Sequence, residues 1–345
     1  MKKFGPLKLF LLVILVLVLS LAPTLALFFK KDDIIKSEFF GETSELQGVL
    51  AVWNVDTFDG GKVGKSVMID RVSAEFEKQH KGTKVFVENL TQEEYDLRTQ
   101  NETPDVICFG SGMWQKVKNK AKNAVFNPKI HENIANSVAD GDNCLAFPWA
   151  LGGYFLLTTN DVLDVFGEEE IDIEKRCFDL CYERKQGKKT KQIFSLTFGG
   201  DGVHLPQVGL EQYGAAKAGS VSDKAGTQTP YEAYVEFFRQ EASVLFGTHR
   251  DFARFENKLA VGAISGIVAK RCNYTDMVQY AVATNGLDPT RVKYAELFCQ
   301  FLQSDYVQSL VEKWGMIPVV EVKKQGLFGE IALADVNKMN IKKLY

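Results

Sequence analysis

The strongest constraint on the fold of this chain is an alternation of strand-like and helix-like segments that begins at Gly48. GVLAVW (48–53) is a short apolar run of the buried-strand type, and VMIDRVSAEFEKQH (67–80) spaces Val67, Ile69, Val72 and Phe76 as one stripe of an amphipathic helix. TKVFVEN (83–89) reads as a strand, TQEEYDLRTQ (91–100) as a helix opened by a Thr91–Glu94 capping box, PDVICFG (104–110) as a strand and SGMWQKVKNKAKN (111–123) as a helix. This β-α-β-α-β-α order predicts a parallel sheet with helices on its faces. In such sheets ligands bind beyond the carboxyl ends of the strands. Those ends are Trp53–Asp59 and Phe109–Trp114.

The alternation is interrupted at AFPWALGGYFLLTTN (146–160). Two β-type runs, Leu145–Phe147 and Tyr154–Thr159, flank a Pro148-Trp149 bend and a Gly152-Gly153 pair. Proline between strands marks an edge or a crossing, and the glycines permit close backbone approach. Beyond it a second α/β region begins, with helices expected at 161–184, 231–241, 290–304 and 305–314 and strands at 192–198 and 277–285, while 252–259 continues into an apolar run ending in glycine. The stretch reads as the passage from one lobe to another, at the mouth of a cleft.

A chain of 345 residues predicts about two domains. The first segment stands apart from both. Lys2, Lys3 and Lys8 precede an uncharged apolar run from Leu9 to Phe29, closed by Lys30 and Lys31. A positive start and a long apolar run describe an export signal, and 21 residues match the roughly 20 that span a bilayer. Residues 1–31 are read as an uncleaved membrane anchor, with a cleaved signal as the alternative, and 32–47 as a tether. The functional part is then extracytoplasmic.

Residues 1–31 hold five of the 41 basic side chains and none of the 44 acidic ones, so the remainder carries an excess of eight acids. That argues against a nucleic-acid partner, which requires a basic footprint. The six cysteines (Cys108, Cys144, Cys177, Cys181, Cys272, Cys299) leave 15 possible connectivities, and no histidine lies near another in sequence, so neither a metal nor a cofactor is expected. DGGKVGKS (59–66) approaches a P-loop but has Asp59 where the first glycine belongs, where its charge would repel phosphate. No nucleophile elbow, zinc-protease pair or cysteine–histidine pair is present, and no residue is assigned a catalytic role. Trp53, Phe58, Trp114, Trp149, Tyr154 and Trp314 fall at strand ends and connections, where flat apolar faces with a polar handle suit stacking on sugar rings.

The order of the pieces resembles the extracellular solute-binding proteins of carbohydrate ABC importers, the maltose-binding type. The resemblance rests on the strand ending in Trp53, Glu75–Lys78 with Gly82 and Val85, Pro104-Asp105, Pro148 with Tyr154 and Asn160, FENKLAVGAIS (255–265), and Phe301-Leu302 with Gln308, Gly315 and Pro318. It implies an α/β, two-lobed, periplasmic-binding-protein type II fold, each lobe a mostly parallel sheet flanked by helices, after an N-terminal transmembrane or signal helix. Lobe 1 is expected at 48–150 plus 284–314 and lobe 2 at 151–283 plus 315–345, with strands crossing near 148–151, 281–285 and 315–319.

The resemblance implies capture of a small ligand, a carbohydrate, between the lobes and its delivery to permease subunits. Its expected ligand-binding residues are Trp53, Asp56, Phe58, Gly110, Ser111, Trp149 and Tyr154, with Arg250 and Asp251 as further candidates that a structural ion pair explains equally well. An anchored surface enzyme acting on glycans or nucleotides, or the ligand-binding component of a sensor, are the competing readings.

Overall fold

A computed structural model of the chain describes residues 46–55, 61–160, 196–200, 203–211, 228–239, 241–286 and 288–345. The alternation from Gly48 becomes β1 (Gly48–Val55), α1 (Lys65–Gln79), β2 (Thr83–Leu90), α2 (Gln92–Arg98) and β3 (Val106–Gly110). β1 pairs in parallel with both β2 and β3. Met68, Ile69, Val72 and Phe76 of α1 pack in one core with Leu50 and Val52. The capping box of α2 forms, with Thr91 Oγ1 accepting from the Glu94 N–H at 3.1 Å and Glu94 Oε2 accepting from the Thr91 N–H at 2.8 Å. The helix expected at 111–123 contracts to α3 (Trp114–Val117), because Ala121 and Ala124 instead form bridges to Thr284 and Cys144.

After α4 (Glu132–Ser137) and a hairpin of β4 (Ala139–Asp140) and β5 (Asn143–Cys144), the chain forms β6 (Phe147–Leu151). Pro148 sits inside this strand, not at a bend before it. β6 is the sheet's edge, and its pairing with the neighbouring strand slips register between Gln279 and Tyr280. An edge with a bulge is where a residue lacking an N–H is tolerated. Gly152-Gly153 then leads into β7 (Tyr154–Thr159) of a second sheet.

The rest of the chain supplies β8 (Leu196–Thr197), α5 (Pro206–Glu211), α6 (Pro230–Phe238), β9 (Val244–Thr248), α7 (His249–Ala260), β10 (Ile267–Arg271), β11 (Tyr274–Thr275) and β12 (Val278–Ala283). α8 (Pro289–Leu302), α9 (Asp305–Lys313), α10 (Gly326–Ala332) and β13 (Asn340–Ile341) follow. The first sheet has the order β2-β1-β3-β12-β6 and the second β10-β7-β9-β8.

Three expectations are corrected here. β12 runs antiparallel between β3 and β6, so residues 278–283 belong to the first sheet and not to the second lobe. In the second sheet β7 is antiparallel to both β9 and β10, and only β8–β9 is parallel. That sheet is therefore mostly antiparallel among the described residues. Residues 315–345 also do not stay with one lobe: α10 packs against β10, whereas Leu344 N–H donates to Ser137 O beside α4.

Among the described residues the backbone passes between the lobes at Gly152-Gly153, between Arg271 and Val278 and from Gly315 to Gly326, and after α10 it returns from β10 to Ser137. Gly315 has φ +76°, a value a side chain resists, and it turns the chain out of α9. Each of the two buried apolar clusters draws residues from both sheets, so the junction is packed and not an open linker. The apolar stretch Leu9–Phe29 lies outside the described residues. Among the described residues no helix is long and apolar enough to cross a membrane.

Candidate functional site

The carboxyl end of β3 is held in place by its antiparallel neighbour. Gly110 is buried, Ser111 N–H donates to Val278 O at 3.1 Å, and the Ser111 hydroxyl accepts from Val278 N–H at 3.1 Å. Gly112, with φ +95°, follows, and a Cβ placed on it would lie 3.6 Å from the Val203 side chain of the second lobe. Here the two lobes come face to face. Beside Ser111 and Gly112 is a cavity of 130 Å³, floored by the buried Tyr280 and walled on the far side by residues 342–345. A larger cavity of 450 Å³ lies between residues 129–132 and 318–337, and no residue predicted from sequence lines it. Asp56 and Phe58 lie outside the described residues.

The other aromatic residues expected to meet ligand are buried in this structure. Trp53 is 2% exposed. Its Nε1–H donates to Glu88 Oε2 at 3.1 Å, Tyr95 meets its ring edge-on at 6.0 Å, and the Arg98 guanidinium covers it at 4.9 Å. α2, which supplies Tyr95 and Arg98, therefore occupies the face that sequence reasoning gave to a sugar. Hydrogen bonding from Arg98 holds the Glu88 carboxyl below its ordinary range against its desolvation. Trp149 is 2% exposed, its indole N–H lacks a partner, and its carbonyl accepts from Gln308 Nε2 at 2.8 Å. Trp114 and Trp314 are buried as well.

Tyr154 is 1% exposed and stacks between Phe246 and Tyr274. Its hydroxyl donates to Asp276 Oδ1 at 2.7 Å, while Leu205 N–H donates to Asp276 Oδ2 at 2.7 Å and His204 Nδ1 lies 3.6 Å from Oδ1. Burial works to raise the Asp276 pKa, but the bonds from His204, Leu205 and Tyr154 outweigh it and hold the carboxylate below its usual range. On the neighbouring strand Gly153 N–H donates to His249 Nδ1 at 3.4 Å. Complete burial, reinforced by His204, lowers the His249 pKa to about 3, which keeps the imidazole neutral. Tyr154, Asp276, His204 and His249 thus form a buried polar core at the first two crossings. Sequence reasoning missed Asp276 and both histidines, since residues 27 to 122 positions apart carry no local signal that they meet.

Asp251 is a helix cap. Its Oδ2 accepts from Thr248 N–H at 2.9 Å and its Oδ1 pairs with Arg254 at 2.9 Å, and burial, partly offset by these bonds, raises its pKa. Arg250, one residue earlier, is exposed. One ion pair of this helix thus joins Asp251 to Arg254. Cys108, Cys144, Cys272 and Cys299 are thiols, and desolvation pushes Cys108 up to about 12; Cys177 and Cys181 lie outside the described residues. Among the described residues no group of three or more potential ligands is placed to hold a metal ion.

No family model matches the sequence, and no curated protein matches it by sequence. Solved structures do match. The GacH receptor of Streptomyces glaucescens GLA.O, solved unliganded and with acarbose, superposes with a TM-score of 0.62 at 13% identity, covering 87% of this chain and 89% of that one. The sugar-binding protein MalE of Xanthomonas citri gives 0.59 at 13% identity, covering 86% of each chain. One neighbour is an enzyme, thiaminase I of Bacillus thiaminolyticus, at 0.55 and 11% identity over 86% of this chain and 94% of that one. The chain has the α/β, two-lobed type II fold that the maltose-type sugar-binding proteins share.

Proposed function

We propose that this chain is an extracytoplasmic solute-binding protein that captures a small carbohydrate between its lobes and delivers it to the permease of an ABC importer. The observation that carries this reading is the approach of the Ser111–Gly112 turn to Val203 across the junction, beside a cavity, in a fold whose backbone passes repeatedly between two lobes. The solved neighbours that bind sugars support it at the level of fold.

Gly110, Ser111, Asp56 and Phe58 are the proposed ligand contacts on lobe 1. Trp53, Trp149, Tyr154 and Asp251 shape the walls and the crossings from inside. Ligand stabilises the closed arrangement through its greater affinity for it. The segment 1–31 holds the protein at the membrane, where closure is read by the permease.

Thermal-shift screening of the protein against a panel of neutral and acidic oligosaccharides tests this function. At least one oligosaccharide is expected to raise the melting temperature, and Ser111→Trp, which fills the turn, to abolish the shift. Stabilisation by polyamines, divalent metals or inorganic anions alone would show that carbohydrate capture is wrong.

A further inference from the structure

The cavity beside Ser111 has a wall that sequence reasoning did not anticipate. Residues 340–345 leave β13, which pairs with β11 at the second crossing, and run past the carboxyl end of β3. Three hydrogen bonds order this segment: Lys342 N–H to Thr275 O at 3.0 Å, Leu344 N–H to Ser137 O at 2.9 Å, and the Tyr345 hydroxyl to Ala139 O at 3.0 Å. Leu344 is buried beneath it as an anchor, while the Tyr345 ring stays 53% exposed. An aromatic face tethered through its own hydroxyl and open to solvent is a preorganised stacking surface. Trp53, Trp149 and Tyr154 do not offer one.

The side chains of the lining have a definite sign. Ser111, Gln115 and the Tyr280 hydroxyl supply neutral groups, Lys342 and Lys343 supply two positive charges, of which the main-chain carboxylate of Tyr345 offsets one, and no acidic side chain lines the cavity among the described residues. Lys343 Nζ lies 3.4 Å from the Tyr345 oxygen and 5.5 Å from the ring centroid. This arrangement occurs in a chain that is net acidic overall. A cavity of 130 Å³ is well below the roughly 300–1,000 Å³ of a drug-sized site, so it suits one ring and not a long oligomer.

We infer that residues 342–345 form a subsite for a saccharide that carries an anionic group, with Tyr345 stacking on the ring and Lys342 and Lys343 holding the charge. This rests on the carbohydrate-capture reading and specifies its ligand class. The source of the charge, a uronate carboxylate or a sugar phosphate, is separated by the probes.

The test is calorimetric titration of the full-length protein with α-1,4-digalacturonate, with α-1,4-galactobiose (which differs from it at C6), with glucose 6-phosphate and with inorganic phosphate. One or both anionic sugars are expected to bind more tightly than galactobiose. K342M/K343M is expected to weaken that binding about tenfold, and Tyr345→Ala about fivefold, the magnitudes of paired surface charges and one aromatic contact. All three side chains are exposed, so the variants should melt at the wild-type temperature without ligand, which separates a binding loss from misfolding. Equal binding of neutral and acidic disaccharides, untouched by the lysine changes, would overturn the subsite while leaving sugar capture intact. Inorganic phosphate binding as tightly as the anionic sugars would overturn the saccharide part. Binding of no sugar at all would remove both readings together.

Discussion

Lys62, in the segment after β1, sits 2.8 Å from Glu256 of α7 and so joins the two lobes by an ion pair. The backbone places it there: Lys62 N–H donates to Trp314 O at 2.7 Å, and a Cβ on Gly61 would fall 2.5 Å from Gly315 O. Glu256 in turn accepts from Phe328 N–H at 3.3 Å. The loop after the first strand therefore rests on the third crossing and reaches over it to the second lobe.

If opening the lobes separates this pair, Lys62→Met favours the open form. The side chains are 38% and 16% exposed, so the pair contributes no more than about 0.5–1 kcal/mol. Ligand affinity should fall about two- to fivefold. Titration at low and high salt checks this: the difference between wild type and variant should shrink at about 1 M salt, where the screening length is about 3 Å. An unchanged affinity at low salt would mean that the pair is retained in both forms.

Gln308 is fully buried and ties three segments together. Its Nε2 donates to Trp149 O at 2.8 Å and to Leu302 O at 2.7 Å, and its Oε1 accepts from Val319 N–H at 2.8 Å. One amide thus fastens β6, just ahead of the first crossing, to the third. Gln308→Leu keeps much of the volume and removes all three bonds, leaving two carbonyls and one N–H buried. At about 1–3 kcal/mol per unsatisfied group, urea unfolding should show a loss of at least about 3 kcal/mol. A loss below about 1 kcal/mol would mean that the carbonyls find other partners.

The motif residues read from sequence turn out to be the builders of the fold. Asp105 accepts from Ala51 N–H at 2.7 Å and from Arg291 Nε at 2.9 Å, Gln308 ties the crossings, and Gly315 takes the left-handed turn. The turn at Gly315 and the capping box at Thr91 depend on local spacing, which a sequence displays, whereas the partners of Asp105 and Gln308 lie up to 186 positions away and only the family resemblance marked those two residues. The surroundings of the aromatics were not legible, because a strand-end tryptophan looks the same whether it faces a cleft or a helix. α2 decides the matter for Trp53. Strand direction in the second sheet was hidden too, since periodicity identifies a strand but not its partner. β12 pairs with β3 across about 170 residues of sequence, a distance over which no pattern reports.

His249 gives the protein an acid-sensitive junction. Its folded pKa is lowered to about 3, chiefly by burial, while in the unfolded chain it titrates near 6.5. The unfolded state therefore binds the extra proton. The stabilisation is complete above about pH 6.5 and declines as pH falls toward 3, by about 1.4 kcal/mol per unit. Asp276, whose pKa is also lowered, adds to the loss only below about pH 4, the ordinary carboxylate range. Burial also lowers the His80 pKa, so the contribution of His249 is the difference in urea midpoints between wild type and His249→Gln over about pH 7 to 4, and the variant should show the shallower slope. An undiminished slope in the variant would assign the acid sensitivity to another group.

Close packing at the junction also involves Gly152. Its N–H donates to Met277 O at 2.8 Å and its carbonyl accepts from Thr275 Oγ1 at 2.9 Å, so the first two crossings lie side by side. A Cβ on Gly152 would meet His249 Cε1 at 2.6 Å, Nδ1 at 2.8 Å and Met277 Cβ at 2.9 Å. The imidazole is walled in and Met277 Cβ is fixed to its backbone, so neither yields cheaply. Gly152→Ala should then cost about 1–3 kcal/mol, the range for overpacking a filled core. His249→Ala in the same chain removes two of the three clashing atoms but leaves Met277 Cβ. The double variant should therefore recover part of the loss, giving a coupling energy of about 0.5–2 kcal/mol in a double-mutant cycle. Strict additivity of the two substitutions would show that the crossings move apart as a unit, and that the glycine is required by the backbone contact with Met277 and not by the histidine.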